Sequence, residues 1–525
     1  MKKMNKLLAL VLAMVMVLGL AASAFAEETT YKITINNTTE KHTYQAFQIF
    51  KGDLAVGKDD EKILSNIKWG TGVTYTGAGV DVEDGAGGTT KSTEAADIAE
   101  ALANGTLTLD ALIADLTLGT VANEVKSTGT TVEIGGLAAG YYLVKDKDNS
   151  LNNEYEAYTR FIVKVVADTT VTPKSEKPSV DKQVWDEPAD AENQSQTGWG
   201  ESADHAINES FQFKLIATLP ASDEFDAYKT YKVVFNDTMS AGITFESIAS
   251  VTVDDKAVSA GDADTNYVCS ATAGMTGPAT WTLTINNIKG IEGVNLKDGA
   301  EIVVIYNAHL NESAQVNHES GNTTNNNKVY LQYSNNPNAG GESELGQTPE
   351  DTVWVFTYEV DNTKYANEIK DGNQMGGAGF RLYDSTGNTE IGLIYDTTLS
   401  AYRPVKGAEV AEEMTSAETT GVFNIKGLDA GTYVLKETKV PAGYNKCDDI
   451  TIVISATHEE AASGDSATTT LTNSHNITND IENKSGSTLP ETGGIGTTIF
   501  YVLGGMLVVC AVVLMVSKKR MSAEG

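Results

Sequence analysis

The sequence predicts an all-β protein, a tandem row of immunoglobulin-like β-sandwich domains with an N-terminal signal helix and a C-terminal transmembrane helix. Three observations carry that expectation. Thr, Asn, Gly and Val are abundant through the interior of the chain, and these residues favour strands and turns over long helices. Apolar residues alternate with period two in short runs, as half-buried strands require. A segment also recurs: Glu133-Ile134-Gly135-Gly136-Leu137-Ala138-Ala139-Gly140-Tyr141-Tyr142-Leu143-Val144-Lys145-Asp146 aligns without gaps to Asn424-Ile425-Lys426-Gly427-Leu428-Asp429-Ala430-Gly431-Thr432-Tyr433-Val434-Leu435-Lys436-Glu437. A glycine turn leading into an alternating strand suits a β-sandwich, so the first and third domains are expected to share a fold.

The elements follow in order. Lys2, Lys3 and Lys6 precede an apolar run from Leu7 to Leu20, and Ala24-Phe25-Ala26 is a small-x-small cleavage site. Residues 1–26 therefore read as a signal peptide cut after Ala26. The roughly 460 residues between the two ends suffice for about three domains. Proline and charge mark the boundaries, at Thr172-Pro173-Lys174-Ser175-Glu176-Lys177-Pro178 and from Asn336-Pro337 through Pro349. The expected domains are thus 27–173, 178–345 and 350–488, followed by a sorting segment, 489–525. One helical patch stands out, Thr93 to Leu116, with Ala96, Ile98, Ala101, Leu102, Leu109 and Leu112 on one face; it reads as an excursion of the first domain.

Composition excludes several functions. A formal charge of −33 argues against nucleic acid or an anionic membrane surface as partner. The six histidines form no HExxH pattern, no GxSxG occurs, and no cysteine has a plausible histidine partner, so no enzyme, metal site or cofactor is expected. Of three cysteines, Cys510 falls in the C-terminal apolar run and Cys269 and Cys447 lie far apart. An exported protein without a disulfide framework needs another source of stability.

Strand parity suggests that source. Side chains two apart share a face, and the face with large apolar groups is the buried one. In the third domain Tyr433 and Leu435 share parity with Glu437; Phe356, Tyr358 and Val360 are in step with Lys364; Ile477 and Ile481 are in step with Asn483. The middle domain repeats the set: Val180 and Val184 flank Lys182, Val233 and Phe235 precede Asp237, and Asn327 precedes Val329, Leu331 and Tyr333. Each core is therefore expected to hold a lysine, an acid and an amide. Burial disfavours charge, leaving a neutral amine and a protonated acid. Those states suit amide exchange, in which the amine attacks the Asn carbonyl, the acid (Asp237 or Glu437) polarises it and shuttles the proton, and ammonia leaves. Two intramolecular isopeptide bonds are expected, Lys182 to Asn327 and Lys364 to Asn483. In the first domain Asp146 takes the place of Glu437. Lys32, however, is off the apolar parity of Ile33 and Ile35, and Arg160 to Thr172 contains no Asn, so no such bond is expected there.

At the C-terminus, Leu489-Pro490-Glu491-Thr492-Gly493 is followed by an apolar stretch over 495–516 and by Lys518-Lys519-Arg520. The stretch has the roughly 20 residues that cross a hydrocarbon core, and the basic tail would hold it at the cytoplasmic face. The pentapeptide resembles the LPXTG sorting signal, which implies cleavage by a sortase between Thr492 and Gly493.

With Phe235-Asn236-Asp237-Thr238-Met239-Ser240-Ala241-Gly242 and Asn327-Lys328-Val329-Tyr330-Leu331-Gln332-Tyr333 in the middle domain, and Tyr433-Val434-Leu435-Lys436-Glu437-Thr438 in the third, the chain resembles the major (shaft) pilins of sortase-assembled Gram-positive pili. The middle domain is similar to their isopeptide-forming fimbrial domain, and the third to collagen-binding-protein B-type domains. The resemblance implies a covalent polymer of identical subunits, extending from the cell wall and joined by a pilus sortase through the Thr492 carbonyl to a lysine. It further implies that a housekeeping sortase attaches the fibre to peptidoglycan. Accessory tip or base pilins are further implied partners, with host surface ligands as an optional class. The implied nucleophile is Lys174, in Val171-Thr172-Pro173-Lys174, where Thr172 replaces the family's usual aromatic residue; Lys177 is second. The alternative reading is a monomeric wall-anchored adhesin with the same domains as a stalk.

Overall fold

The computed structural model describes residues 29–36, 40–57, 61–83, 88–151, 155–173, 177–186, 198–317, 320–322, 325–339, 345–460, 467–472, 474–486 and 495–521. Among the described residues the chain is all-β apart from two short α-helices in its first part, a few single-turn 3-10 helices and one long C-terminal helix. The signal segment with Ala26 lies outside the described residues. Two compact units divide the chain. The first runs to Tyr358 and adds Gly427–Ala430 and Ser455–Thr472; the second holds Glu359–Lys426, Gly431–Ile454 and the chain from Asn473 onward.

The first unit begins with a sandwich. A three-stranded sheet, Thr169–Val171, Tyr31–Ile35 and Val132–Leu137, faces a five-stranded one made of Arg160–Val165, Gly140–Asp146, Glu40–Val56 and Lys62–Trp69, with Asn123–Thr128 alongside. Ile33, Ile35 and Ile134 meet Tyr44, Tyr142 and Val144 between the sheets. The outer face of the larger sheet is covered as well, because Tyr141 and Leu143 pack with Ile98, Ala99 and Leu112 of two helices. Strand Gly140–Asp146 is therefore apolar on both faces.

Those helices depart from the single patch expected over Thr93 to Leu116. They span Ala95–Ala103 and Leu109–Ala114. Gly105 adopts φ +78° between them, a left-handed conformation that a helix cannot continue through. The second helix restarts at Thr108, whose side chain accepts a hydrogen bond from the Ala111 amide at 3.2 Å. The repeat noted in the sequence has a backbone counterpart: Gly136 and Gly427 occupy equivalent positions and both have positive φ, 70° and 84°.

The first unit also holds a small three-stranded sheet of Ser320–Asn322, Ala467–Leu471 and Ala456–Glu460, together with a larger sandwich. One sheet orders Gly198–Gly200, Ser179–Asp186, Ser210–Thr218, Glu301–Leu310, Ile243–Val253 and Lys256–Ala257. The other orders Ser202–Asp204, Asp351–Phe356, Asn326–Ser334, Val233–Met239, Ala279–Ile285 and Tyr267–Cys269, with Leu345–Gln347 attached. Alternation is strict from Glu301 to Ala308, where Ile302, Val304, Tyr306 and Ala308 are fully buried. Phe356 ends a strand of this sandwich, so the strand carrying Lys364 starts afresh at Tyr358.

In the second unit, Tyr358–Ala366 pairs in parallel with Thr478–Asn483, with Lys364 opposite Ile481 and Ala366 opposite Asn483. The facing sheet contains Gly379–Tyr383, Gly431–Lys439 and Ile450–Ile454. The C-terminal helix spans Ile495–Met521, and its segment Ile499–Lys519 is long and apolar enough to cross a membrane.

Candidate functional site

All six residues of the two polar sets face inward. Lys182, Asp237, Asn327 and Lys364 are 0 % exposed, Asn483 1 % and Glu437 2 %. A fully buried Val or Leu contributes about 1.5–3 kcal/mol to folding. A buried charge instead costs several kcal/mol unless it is paired or neutralised. Two lysines at core positions are thus expensive as ions, and their surroundings determine their chemistry.

In the middle sandwich the set bridges the two sheets. Lys182 comes from one sheet; Asp237 and Asn327 come from adjacent strands of the other, with Asp237 opposite Val329 and Met239 opposite Asn327. Lys182 Nζ donates to Asp237 Oδ2 and to the Tyr306 hydroxyl at 3.2 Å. That hydroxyl donates to Asp237 Oδ2 at 3.0 Å and accepts from Asn327 Nδ2 at 2.5 Å. Asn327 Oδ1 has no hydrogen-bond partner. Aromatic rings wall the centre: Lys182 Nζ lies 5.1 Å from the Phe213 centroid, and Trp281 meets the Tyr306 ring edge-on. Burial pushes the Lys182 amine below its ordinary value despite the adjacent Asp237. Burial likewise raises the Asp237 carboxyl despite Lys182. Both shifts favour a neutral amine beside a protonated acid.

In the third centre the lysine and amide are diagonal neighbours on two parallel strands, and the acid reaches across from the facing sheet. Lys364 Nζ donates to Asn483 Oδ1 at 2.5 Å. Asn483 Nδ2 donates to Glu437 Oε1 at 2.6 Å, and Lys364 Nζ lies 3.6 Å from the same oxygen. The Cys447 backbone amide donates to Glu437 Oε2 at 2.9 Å, fixing the carboxyl. Phe380, stacked on Phe423, lies 5.4 Å from the amine. Burial lowers the Lys364 amine and pushes the Cys447 thiol up to about 11.

The first sandwich is built differently. Asp146 is fully buried but faces His42, whose Nδ1 lies 3.0 Å from Oδ1 and 3.1 Å from Oδ2. It also accepts from the Thr159 amide at 2.7 Å. Lys32 is exposed and pairs with Glu133 at 2.8 Å, so this core contains an acid without a lysine or an amide beside it.

Parity did not identify Tyr306 or Cys447. Tyr306 was legible as an inward residue of Glu301–Leu310, but an aromatic ring on a core face reads as packing until its hydroxyl is placed. Cys447 lies outside the strands and gave no periodic signal. Lys174 and Leu489, Pro490, Glu491, Thr492 and Gly493 fall outside the described residues. Lys177, the second linker lysine, donates through Nζ to the Tyr155 carbonyl at 2.8 Å and pairs with Glu156 at 3.1 Å. Among the described residues no group of three or more His, Cys, Asp or Glu side chains is placed to hold a metal ion.

These features define a class of protein: a chain of β-sandwiches with a lysine, an amide and an acid buried in two cores, ending in a helix apolar enough to cross a membrane. Family models agree. Residues 212–337 match a Gram-positive pilin backbone subunit 2, Cna-B-like domain; residues 361–468 match the SpaA prealbumin-like fold domain; residues 481–522 match the LPXTG cell wall anchor motif. The chain carries the domain set of a sortase-assembled Gram-positive backbone pilin. The T6 backbone pilin of serotype M6 Streptococcus pyogenes is similar in fold, with 17 % identity, 88 % of this chain and 100 % of that one covered, and a TM-score of 0.50. The full-length major pilin SpaD from Corynebacterium diphtheriae matches at 17 % identity, 88 % and 99 % coverage and TM-score 0.45. The full-length major pilin RrgB from Streptococcus pneumoniae matches at 16 %, 87 % and 100 %, and 0.39. No curated protein matches the chain. The anchor motif and the apolar helix after it mark a cell-wall-anchored surface protein whose precursor passes through the membrane.

Proposed function

We propose that the chain is the shaft subunit of a covalently polymerised pilus and that it ties its own middle and third domains with Lys182–Asn327 and Lys364–Asn483 isopeptide bonds. In each bond the neutral lysine nitrogen attacks the amide carbon, the C–N bond to the amide nitrogen breaks, and ammonia departs. One proton moves from the amine to the leaving nitrogen, and the neighbouring acid carries it. The observation that carries this reading is the 2.5 Å contact of Lys364 Nζ with Asn483 Oδ1, with Glu437 at the nitrogen that must leave. No turnover follows, because each centre reacts once.

Between subunits, the proposed step is sortase-catalysed. The Thr492–Gly493 bond is cleaved, the Thr492 carbonyl passes to the sortase, and the Lys174 amine of the next subunit displaces the enzyme. The engagement of Lys177 by Glu156 and a backbone carbonyl supports Lys174 as the acceptor. Peptidoglycan terminates the series, and accessory pilins occupy its ends. Lys174→Ala is expected to abolish the high-molecular-weight ladder in cell-wall extracts on a denaturing gel, and Lys177→Ala to preserve it. A ladder that persists in Lys174→Ala moves the linkage to another lysine. Monomer alone in the parent strain would contradict polymerisation.

A further inference from the structure

We propose that Tyr306 is a catalytic group of the middle centre, a hydroxyl that relays the proton from Asp237 to the nitrogen leaving Asn327. This inference rests on the crosslink reading above. The Tyr306 hydroxyl is hydrogen-bonded to all three members of that centre: Lys182 Nζ at 3.2 Å, Asp237 Oδ2 at 3.0 Å and Asn327 Nδ2 at 2.5 Å. The hydrogen bonds of Lys182 Nζ go to Asp237 and Tyr306, so the hydroxyl stands between the acid and the amide.

The third centre shows why an intermediary is needed. There Glu437 reaches the leaving nitrogen directly, at 2.6 Å. Asp237 is one methylene shorter than a glutamate, and the Tyr306 hydroxyl spans the missing length. The relay balances: Asp237 accepts one proton from the attacking amine and passes one to the Tyr306 oxygen. At rest the hydroxyl accepts from Nδ2; once the amine has added to the Asn327 carbonyl carbon, Nδ2 regains its lone pair, the hydroxyl reverses to give it its own proton, and ammonia leaves with both side chains restored. Turning the Asn327 amide over places Oδ1 at the same hydroxyl, where the proton would polarise the carbonyl. In both orientations Tyr306 contacts the group that reacts. Burial and Asp237 hold the hydroxyl protonated well above 10, so it remains a donor throughout the working range.

The test uses the mature chain made by cell-free translation, with the two crosslinked tryptic peptides quantified over time at pH 6 to 9. Tyr306→Phe keeps the ring packed against Phe213 and Trp281 and removes the oxygen. General acid–base groups contribute about 10²–10⁴-fold. The Lys182–Asn327 product is therefore expected to form about 100-fold more slowly, with Lys364–Asn483 unchanged as the internal control. Without its internal donor the variant should also slow further as pH rises, because solvent acid must protonate the leaving nitrogen. Wild-type rates in Tyr306→Phe would overturn the assignment. So would a slowing that is equal at every pH and matched by slower folding in tryptophan fluorescence, which would reduce Tyr306 to packing. If the parent chain forms no Lys182–Asn327 product, the crosslink reading itself fails, and this inference with it.

Discussion

Asn483→Ala is expected to uncouple the two ends of the third domain. The bond would close a loop between residues 119 apart in sequence, which the chain-entropy description values at about 5 kcal/mol. At roughly 3–4 °C per kcal/mol for a domain of this size, the melting midpoint should fall by about 15 °C or more. The mechanical effect is larger still. Lys364 and Asn483 lie on neighbouring parallel strands at the beginning and end of the domain. Tension would thus pass from one strand to the other through the bond, and the chain between them would bear none of it. In single-molecule stretching the parent should hide that length, and Asn483→Ala should release about 400 Å as the intervening residues extend. A parent molecule that releases the same length would remove the load-bearing role of the third centre.

Asp237→Ala is expected to be the most damaging single change in the middle domain, because it removes the proton carrier and strands the amine. The Lys182–Asn327 bond should not form, at a cost of about 5 kcal/mol in loop closure. Lys182 then remains in a core of Phe213, Tyr306 and Val184 without its acid, adding about 3–5 kcal/mol. Lys182→Met also loses the bond, but the Asp237 it leaves behind is held as a neutral acid by burial and keeps its Tyr306 hydrogen bond, so Asp237→Ala should be the less stable of the two. Their pH dependence separates the two costs. Burial lowers the Lys182 amine in the folded state, so between that depressed value and about pH 10.5 the unfolded chain binds more protons than the folded one. Stability of Asp237→Ala should therefore rise with pH, by up to about 1.4 kcal/mol per unit, from the depressed folded value up to the ordinary lysine value. Lys182→Met should show no such slope. Parallel urea midpoints for the two variants between pH 7 and 10 would contradict a buried, neutral Lys182.

Period-two alternation made much of this protein legible from sequence alone. A lysine or carboxyl in step with Val180, Phe235 or Leu435 has only the core to face, and all six polar residues chosen on that basis are buried. Alternation specifies a face but not a partner strand. It did not show that the middle set bridges two sheets while the third joins parallel neighbours, or that Asp351–Phe356 pairs with Asn326–Ser334. Nor did it distinguish a tyrosine that only packs from one whose hydroxyl sits among a buried amine, acid and amide, as at Tyr306. The helical patch was overextended because its apolar face continues past Asn104-Gly105, where the backbone turns left-handed. His42 shares the buried parity of Tyr44 and Ala46, but alternation does not name it as the partner of Asp146.

The proposed fate of the two buried amines, Lys182 and Lys364, is conversion to amides. Intact-mass measurement of the mature chain, followed by tryptic mapping, tests it most directly. Two bonds predict a mass about 34 Da below that of the sequence, about 17 Da for each ammonia lost, with peptides joined at Lys182–Asn327 and Lys364–Asn483. A mass equal to that of the sequence, with both lysines recovered in ordinary linear peptides, would contradict the account.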